Sequence, residues 1–261
     1  MSEPSVLIDR RDDAIWITLN RPAALNAISP AVVEGIANGI AMAKDPAIKA
    51  VILMGTGRAF CAGADLKYVN NAAPDDETAT ARFLESLLDL MAALEACPRP
   101  VIAAVNGMAL AGGLELVLCC DLVIAARSAK LGDAHANFGL LPGGGGSVRL
   151  PRKIGPTRAK YLMFTGDFVP AEALVECGLV NQVVDDAELT ACVEALVAKL
   201  KTKSSLVLSR MKALVDDGLE QPKDVALRGE LLVSEIHGHS HDQKEGLAAF
   251  EEKRTPVFTG R

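Results

Sequence analysis

The chain has 261 residues, of which half are hydrophobic and 23% are charged, and its formal net charge is −6. This composition is typical of a globular protein with a sizeable core and disfavours an intrinsically disordered chain. The negative charge also disfavours nucleic acid and an anionic membrane surface as the main partner. We therefore expect no nucleic-acid and no membrane partner.

The sequence shows no membrane span and no targeting pattern. It contains no run of about 18 apolar residues, and its first residues resemble neither a signal peptide nor an Arg-rich transit peptide. The six cysteines form no C-x-x-C pair, which favours reduced, buried thiols over disulfides. These features predict a cytoplasmic location.

Strands and helices alternate along the first two thirds of the chain. Strands are predicted at Val6–Ile8 and Ala14–Leu19, separated by the charged turn 9–13. Ser29-Pro30 begins a helix that stops at Asp45-Pro46. A longer helix opens at 75–77 and closes at 98–100, and a short one runs from Pro170 to Gly178. Apolar runs typical of strands covered on both faces occupy residues 50–54, 101–105, 122–126 and 179–184.

This alternation predicts βαβ units with largely parallel pairing, and hence an α/β fold. From about residue 186 to residue 252 the pattern is purely helical. Two apolar stripes in this region predict subunit contacts, with packing on the chain's own core as the alternative. The stripes are Leu189, Val193, Leu196 and Leu200, and then Leu227, Leu231 and Ile236.

Two glycine-rich segments, 58–66 and 106–116, each follow an apolar run. A sharp turn at that point can leave backbone amides free, and two such amides can hold one developing oxyanion. Glu115 lies three residues beyond Gly112, so the second segment places a carboxylate beside the same site. Gly112 also lies at the start of a predicted helix, whose dipole adds positive potential there.

Taken in chain order, these segments and several others resemble the enoyl-CoA hydratase/isomerase (crotonase) family across nearly the whole chain. The other matching segments are Leu19-Asn20-Arg21-Pro22, Leu25-Asn26-Ala27, Gly139-Leu140-Leu141-Pro142 with Gly143–Gly146, and the tail 245–254. The resemblance implies a crotonase-like spiral of ββα units over residues 1–195. It also implies a C-terminal helical trimerisation region over 196–261, in a homotrimer or homohexamer.

The resemblance also implies an acyl-CoA thioester as the substrate, with no metal and no cofactor apart from the coenzyme A of that substrate. The implied oxyanion hole consists of the amides of Ala64 and Gly112. The implied substrate-binding residues are Ala62, Ala64, Asp65, Leu66, Lys67 and Gly112.

The chain departs from the family at position 135. Typical hydratases of the family use two glutamates; Glu115 matches one, and His135 stands in place of the other. An imidazole both gives and accepts protons near neutral pH. Glu115 as base and His135 as acid therefore predict an enoyl-CoA hydratase-like lyase. In structural roles, Glu115 would cap neighbouring amides and His135 would be an ordinary polar loop residue, while Asp133 either orients His135 or is a solvated loop aspartate.

Other reactions remain open, since the family carries several chemistries on one site. A carboxylate with an altered partner also suits an isomerase, a thioester hydrolase or a decarboxylase acting on a specialised acyl-CoA. A binding protein that kept the fold is a further alternative.

Four remaining signals have two interpretations each. Gly143–Gly146 lacks the Lys-Ser/Thr of a phosphate-binding loop, so we expect tight backbone against the acyl chain and a helix start. His237-x-His239-x-His241 favours a polar break between helices over a metal site. Cys61 favours a packing role over a reactive thiol. The cations that could meet the CoA phosphates, or be ordinary surface charges, are Arg58, Lys67, Lys253 and Arg254.

Overall fold

The strands divide between two sheets that the chain visits in turn. The computed structural model describes residues 3–71 and 78–261. The strands are β1 (Val6–Arg11), β2 (Ala14–Leu19), β3 (Ala50–Gly55), β4 (Ala59–Cys61), β5 (Val101–Val105), β6 (Met108–Leu110), β7 (Leu122–Ala126), β8 (Lys130–Gly132), β9 (Val169–Pro170) and β10 (Gln182–Val184).

Helices connect these strands and make up the C-terminal part of the chain. They are α1 (Pro30–Met42), α2 (Leu66–Asn71), α3 (Ala79–Glu95), α4 (Gly112–Leu118), α5 (Gly146–Ile154), α6 (Pro156–Thr165), α7 (Leu189–Lys201), α8 (Ser205–Leu219), α9 (Lys223–Gly238) and α10 (His241–Glu251). Among the described residues, no helix combines the length and apolar character that crossing a membrane requires.

The larger sheet has the order β1-β2-β3-β5-β7-β10, and the smaller one has the order β4-β6-β8-β9. Pairing is antiparallel only between β1 and β2 and between β8 and β9, and the other described pairs are parallel. From β3 to β8 the chain alternates between the two sheets. This arrangement confirms the predicted α/β class with largely parallel pairing.

The central strands carry continuous apolar sequences because both of their faces are covered. Every residue of β5 is buried, and β3 is buried except at Met54. On α3 the buried side faces this core through Phe83, Leu87 and Met91. The predicted start of that helix, at 75–77, lies outside the described residues.

The first hairpin is tighter than the sequence predicts. β1 continues through Arg11, and the turn is Asp12-Asp13, with Asp12 at a φ of +51°. The charges of this segment lie on the exposed edge strand, where they stay solvated and discourage pairing with another chain. Charge therefore marks the edge of the sheet here rather than a long turn.

The prediction for residues 170–184 was wrong in two respects. The segment after Pro170 forms a 3-10 helix at Ala171–Leu174, and β10 begins at Gln182 rather than at Leu179. Leu179 is buried in the core, but pairing with β7 starts only at Gln182. An apolar run reports burial, and it does not specify where ladder hydrogen bonds begin.

The C-terminal region is helical, as predicted, and its two apolar stripes differ. On α7, Leu189 and Val193 are buried against the chain's own core. On α9 no residue is buried, and Leu231 is 70% exposed. The predicted boundary at residue 195 lies inside α7, and the division into two regions stays a prediction.

Candidate active site

The two glycine-rich turns pack directly against each other. After β4, Gly63 has a φ of +106°, a conformation that residues with a Cβ atom rarely adopt. A Cβ atom on Gly63 would lie 3.0 Å from Cβ of Ala111 and 3.2 Å from the amide nitrogen of Gly112. Backbone conformation and close approach both explain the glycine at this point.

The amides of Ala64 and Gly112 lie side by side. Ala64 forms a parallel bridge with Ile28, in which Ile28 N donates to Gly63 O and Asp65 N donates to Ile28 O. The bridge therefore uses the neighbours of Ala64 and leaves its own N–H unused. Gly112 is the first residue of α4, so its N–H has no partner within the helix. Ala64 N is 3.4 Å from the position that a Cβ atom on Gly112 would occupy.

Neither amide donates to an acceptor in the described parts of the chain. Two adjacent N–H groups without an acceptor, one of them at a helix N-terminus, favour an oxygen that carries negative charge. The residues predicted to form an oxyanion hole are thus brought together, and their role stays a prediction.

The turn before α4 is strained. Ala111, its N-cap residue, has φ +49° and ψ −119°, which costs on the order of 1–3 kcal/mol for a residue with a Cβ atom. Hydrogen bonds hold it there: Ala111 N donates to Gly132 O, and Glu115 N donates to Ala111 O. The strained residue directly precedes Gly112, whose amide belongs to the predicted oxyanion hole.

Glu115 projects from α4 and is only 2% exposed. Its Oε1 atom accepts hydrogen bonds from Gly144 N at 2.9 Å and from Gly146 N at 2.7 Å, whereas no described residue donates to Oε2. Burial raises the pKa of this carboxyl above its ordinary value, and the two amides and the charge of His135 offset part of that rise. A raised pKa suits a group that takes up and returns a proton near neutral pH.

The 143–146 loop surrounds this carboxylate closely. A Cβ atom on Gly144 would lie 2.6 Å from Glu115 Oε2, and one on Gly146 would lie 3.1 Å from Oε1. Arg149 supports the loop, since it donates to Gly144 O at 2.7 Å and forms a two-pronged ion pair with Glu95. The predicted helix start at the end of the loop is confirmed, but nothing in the sequence indicated that the loop contacts Glu115.

His135 follows β8 at the start of the 3-10 helix His135–Phe138, with its side chain 11% exposed. Its Nδ1 atom lies 3.1 Å from Oδ1 of Asp133. Burial alone lowers the pKa of the imidazole, but the hydrogen bond and charge of Asp133, together with the charge of Glu115, raise it above its ordinary value. Asp133 is 2% exposed, so its interpretation as a solvated loop residue was wrong.

A buried asparagine, for which the sequence predicted no role, connects the segment before α1 to the loop between β3 and β4. Asn26 is fully buried and, like Leu25 before it, has a positive φ. Its amide group donates to Thr56 O and Ala59 O, and its Oδ1 accepts from Arg21 N. Asparagine tolerates this backbone conformation better than most residues, which is the signal that could have identified it.

The residues expected to contact substrate have varied surroundings. Asp65 forms a 2.7 Å ion pair with Arg21 and accepts from the amides of Lys67 and Tyr68 at the start of α2. Ala62 N donates to Leu25 O. Leu66 and Lys67 are exposed, and the Lys67 ammonium has no ion-pair partner in the described residues. Their contacts with a substrate stay predictions.

Several other candidates are engaged elsewhere. Cys61 is fully buried, and burial raises the pKa of its thiol to about 12, which favours the packing role. His237 pairs with Arg210, whereas His241 lies beyond the break between α9 and α10. Within the described ranges, no cluster of three or more His, Cys, Asp or Glu side chains is arranged to hold a metal. Arg254 is ion-paired with Glu245 and Glu252.

The model of the enoyl-CoA hydratase/isomerase family matches residues 10–261. The chain belongs to this family of enzymes, and its α/β architecture is the crotonase fold.

Three similar proteins illustrate the range of the family. The chain is 35% identical to the crotonyl-CoA hydratase of Syntrophomonas wolfei over the full length of both proteins. It is 38% identical to the 1,2-epoxyphenylacetyl-CoA isomerase of Escherichia coli over 94% of each chain. The crystal structure of an enoyl-CoA hydratase from Bacillus anthracis superimposes with a TM-score of 0.92 at 36% identity, covering 98% of this chain and all of that one.

Proposed function

We propose that this protein is a hydratase that adds water across the double bond of a 2-enoyl-CoA thioester. The observation that supports this most is the pair of adjacent amides, Ala64 and Gly112, which lack acceptors in the described residues. Glu115 lies three residues after Gly112 on α4. An oxygen held by both amides would be the thioester carbonyl, whose negative charge grows as the enolate forms.

In this mechanism Glu115 is the base and His135 is the acid. The Glu115 carboxylate takes a proton from water, and the resulting hydroxide adds to the β-carbon. The electron pair of the double bond moves towards the thioester oxygen, and the imidazolium of His135 then delivers its proton to the α-carbon. One water has been added at that point. Transfer of the proton from Glu115 back to His135 restores the starting state.

Isomerisation of an acyl-CoA is the second candidate. It is favoured by the 38% identity to a protein named as a 1,2-epoxyphenylacetyl-CoA isomerase and by the histidine at position 135. Glu115, with its raised pKa, would then move a proton between two carbons of the substrate. Mass spectrometry separates the candidates, because hydration adds the mass of one water and isomerisation leaves the mass unchanged.

The direct test is turnover of crotonyl-CoA by the wild type and by Glu115→Gln. The glutamine can still accept hydrogen bonds from Gly144 and Gly146 but cannot act as a base, so we expect kcat/KM to fall by about 10²–10⁴-fold. Glu34→Gln, an exposed change on α1, serves as the matched control and should retain wild-type turnover. Near-normal hydration by Glu115→Gln would reject the proposed base.

The same proposal includes a homotrimer or homohexamer in the cytoplasm, with no cofactor beyond the coenzyme A of the substrate. The exposed apolar stripe of α9, which includes Leu231, supports assembly. The six cysteines, all of them free, are compatible with a reducing compartment.

A further inference from the structure

Asp133 and His135 are brought together by a tight turn after β8. His135 N donates to Asp133 O at 2.8 Å across Ala134, which has a φ of +61° and is itself buried. A residue with a Cβ atom is unfavourable in this conformation, and such turns are uncommon. The strained turn places the two side chains on the same side of the chain, with Nδ1 of the imidazole against Oδ1 of the carboxylate.

Asp133 is a buried acid, and burying a charge without a partner is costly. The side chain that partners it is His135, at 3.1 Å. Its other oxygen, Oδ2, lies 3.4 Å from the position that a Cβ atom on Gly146 would occupy. The amide of Gly146 also holds Glu115, so Asp133 and Glu115 both lie beside this glycine.

The contact with Asp133 distinguishes the two ring nitrogens of His135. A carboxylate accepts hydrogen bonds, so the Nδ1–H of the imidazole donates to it. Among the described residues, Nε2 has no hydrogen-bond partner. The ring nitrogen left for a substrate is therefore Nε2.

We propose that Asp133 is a positioning residue, whose buried carboxylate holds Nδ1 of His135 and so presents Nε2 to the α-carbon of the acyl thioester. This inference rests on the proposed function, in which His135 is the acid. The two carboxylates that act most on the ring are Asp133, from the same segment, and Glu115, from α4. The hydrogen bond and charge of Asp133 raise the pKa of the imidazole, which favours the protonated ring that an acid requires.

The first test is ¹H–¹⁵N NMR of the histidine side chains in the wild type, which requires no turnover. Above its pKa, we expect His135 to be the tautomer with the proton on Nδ1. In Asp133→Asn the amide can donate to Nδ1 instead, so we expect the other tautomer and a pKa lower by about 1–3 units. The signals of His237, His239 and His241 should not move, which provides an internal control.

The second test is the pH profile of crotonyl-CoA hydration. Because His135 acts as an acid, activity is lost as the pH rises through its pKa, and Asp133→Asn should move this alkaline limb to lower pH. We expect kcat to fall and KM to stay nearly constant. Asp9→Asn, the same change on the exposed edge strand β1, should leave the profile in place.

A double-mutant cycle separates positioning from a general effect on the fold. If Asp133 acts through His135, then His135→Ala and Asp133→Asn/His135→Ala should agree in kcat/KM within about two-fold. Losses that multiply would overturn the proposal. So would a wild-type His135 with its neutral proton on Nε2, a result that does not depend on whether any variant folds.

Failure of the proposed function would look different. If the wild type does not hydrate crotonyl-CoA, or if His135→Ala hydrates it normally, the mechanism is wrong while the NMR titration still reports on Asp133 and His135. Conversely, the positioning role alone is rejected if hydration depends on His135 but the alkaline limb of the pH profile does not move in Asp133→Asn.

Discussion

At the scale of single residues, the two oxygens of the Glu115 side chain have different environments. Oε1 receives both glycine amides, which lowers the cost of burying the charge. Oε2 has no donor among the described residues and lies beside Gly144. The capping role and the catalytic role were alternatives at the level of sequence. The structure assigns capping to Oε1 and leaves Oε2 for the proposed chemistry.

Gly144→Ala tests whether this close approach matters. The new Cβ atom would lie 2.6 Å from Oε2 of Glu115, so the carboxylate or the loop must move. We expect hydration of crotonyl-CoA to fall by about ten-fold or more, since small displacements of reacting groups are costly. Steady-state kinetics, together with thermal unfolding, measure the effect.

Gly229→Ala is the matched control for that change. Gly229 lies within α9, and a Cβ atom there has no neighbour within 4 Å. Alanine in a helix interior is favoured over glycine by roughly 0.5–1 kcal/mol, so this variant should be slightly more stable and equally active. Equal kinetic losses in the two variants would contradict a specific role for the loop.

At the scale of elements, the segment before α1 determines where the first glycine-rich turn lies. Asn26 connects it to the strand region around Ala59, and Arg21 connects it to Asp65. These contacts join residues more than 30 positions apart. The position of Ala64 therefore depends on side chains far from it in the sequence.

Asn26→Ala should be strongly destabilising. It removes the hydrogen bonds that Asn26 makes with Thr56 O, Ala59 O and Arg21 N and places alanine at a positive φ. We expect the free energy of unfolding to fall by about 2–4 kcal/mol, measured by chemical denaturation. Asn20→Ala, which loses one exposed hydrogen bond to Pro4 O, should have a much smaller effect. Comparable losses in both variants would argue against the anchoring role of Asn26.

Elements were predictable where both faces of a strand are buried. Apolar runs located β3, β5 and β7 to within one residue, because burial on both faces leaves little room for polar side chains. β10 was placed three residues too early, because Leu179 packs in the core without ladder hydrogen bonds. The predicted helix before it is a 3-10 helix, which has no distinct apolar period at this length.

At the scale of the whole molecule, the apolar surface of α9 is one of the surfaces that a single chain leaves exposed. Leu227, Leu231 and Ile236 are all more than half exposed, although they form a helical stripe. Exposed stripes of this kind are typical of subunit contacts.

Leu231→Glu tests the proposed assembly. A buried, unpaired carboxylate at a subunit contact is unfavourable. We therefore expect the dissociation constant of the variant's oligomer to be about ten-fold or more higher than that of the wild type. Sedimentation velocity measures the distribution of species. Met42→Glu, at an exposed apolar residue at the end of α1, should sediment like the wild type. A wild-type monomer at all concentrations would reject the trimer and the hexamer.

The fold class and the family followed from the sequence alone, and the sequence also supplied a prediction for the residues of the site. Strand burial, turn chemistry and ordered motifs are local properties, and they can be read without knowing which segments touch. Three contacts required the three-dimensional structure: the amides of Gly144 and Gly146 on Glu115, Asp133 buried against His135, and Asn26 bound to the loop between β3 and β4. The Glu115 and Asn26 contacts join distant segments, and the burial of Asp133 depends on what packs around it, so a pattern along the chain cannot specify them.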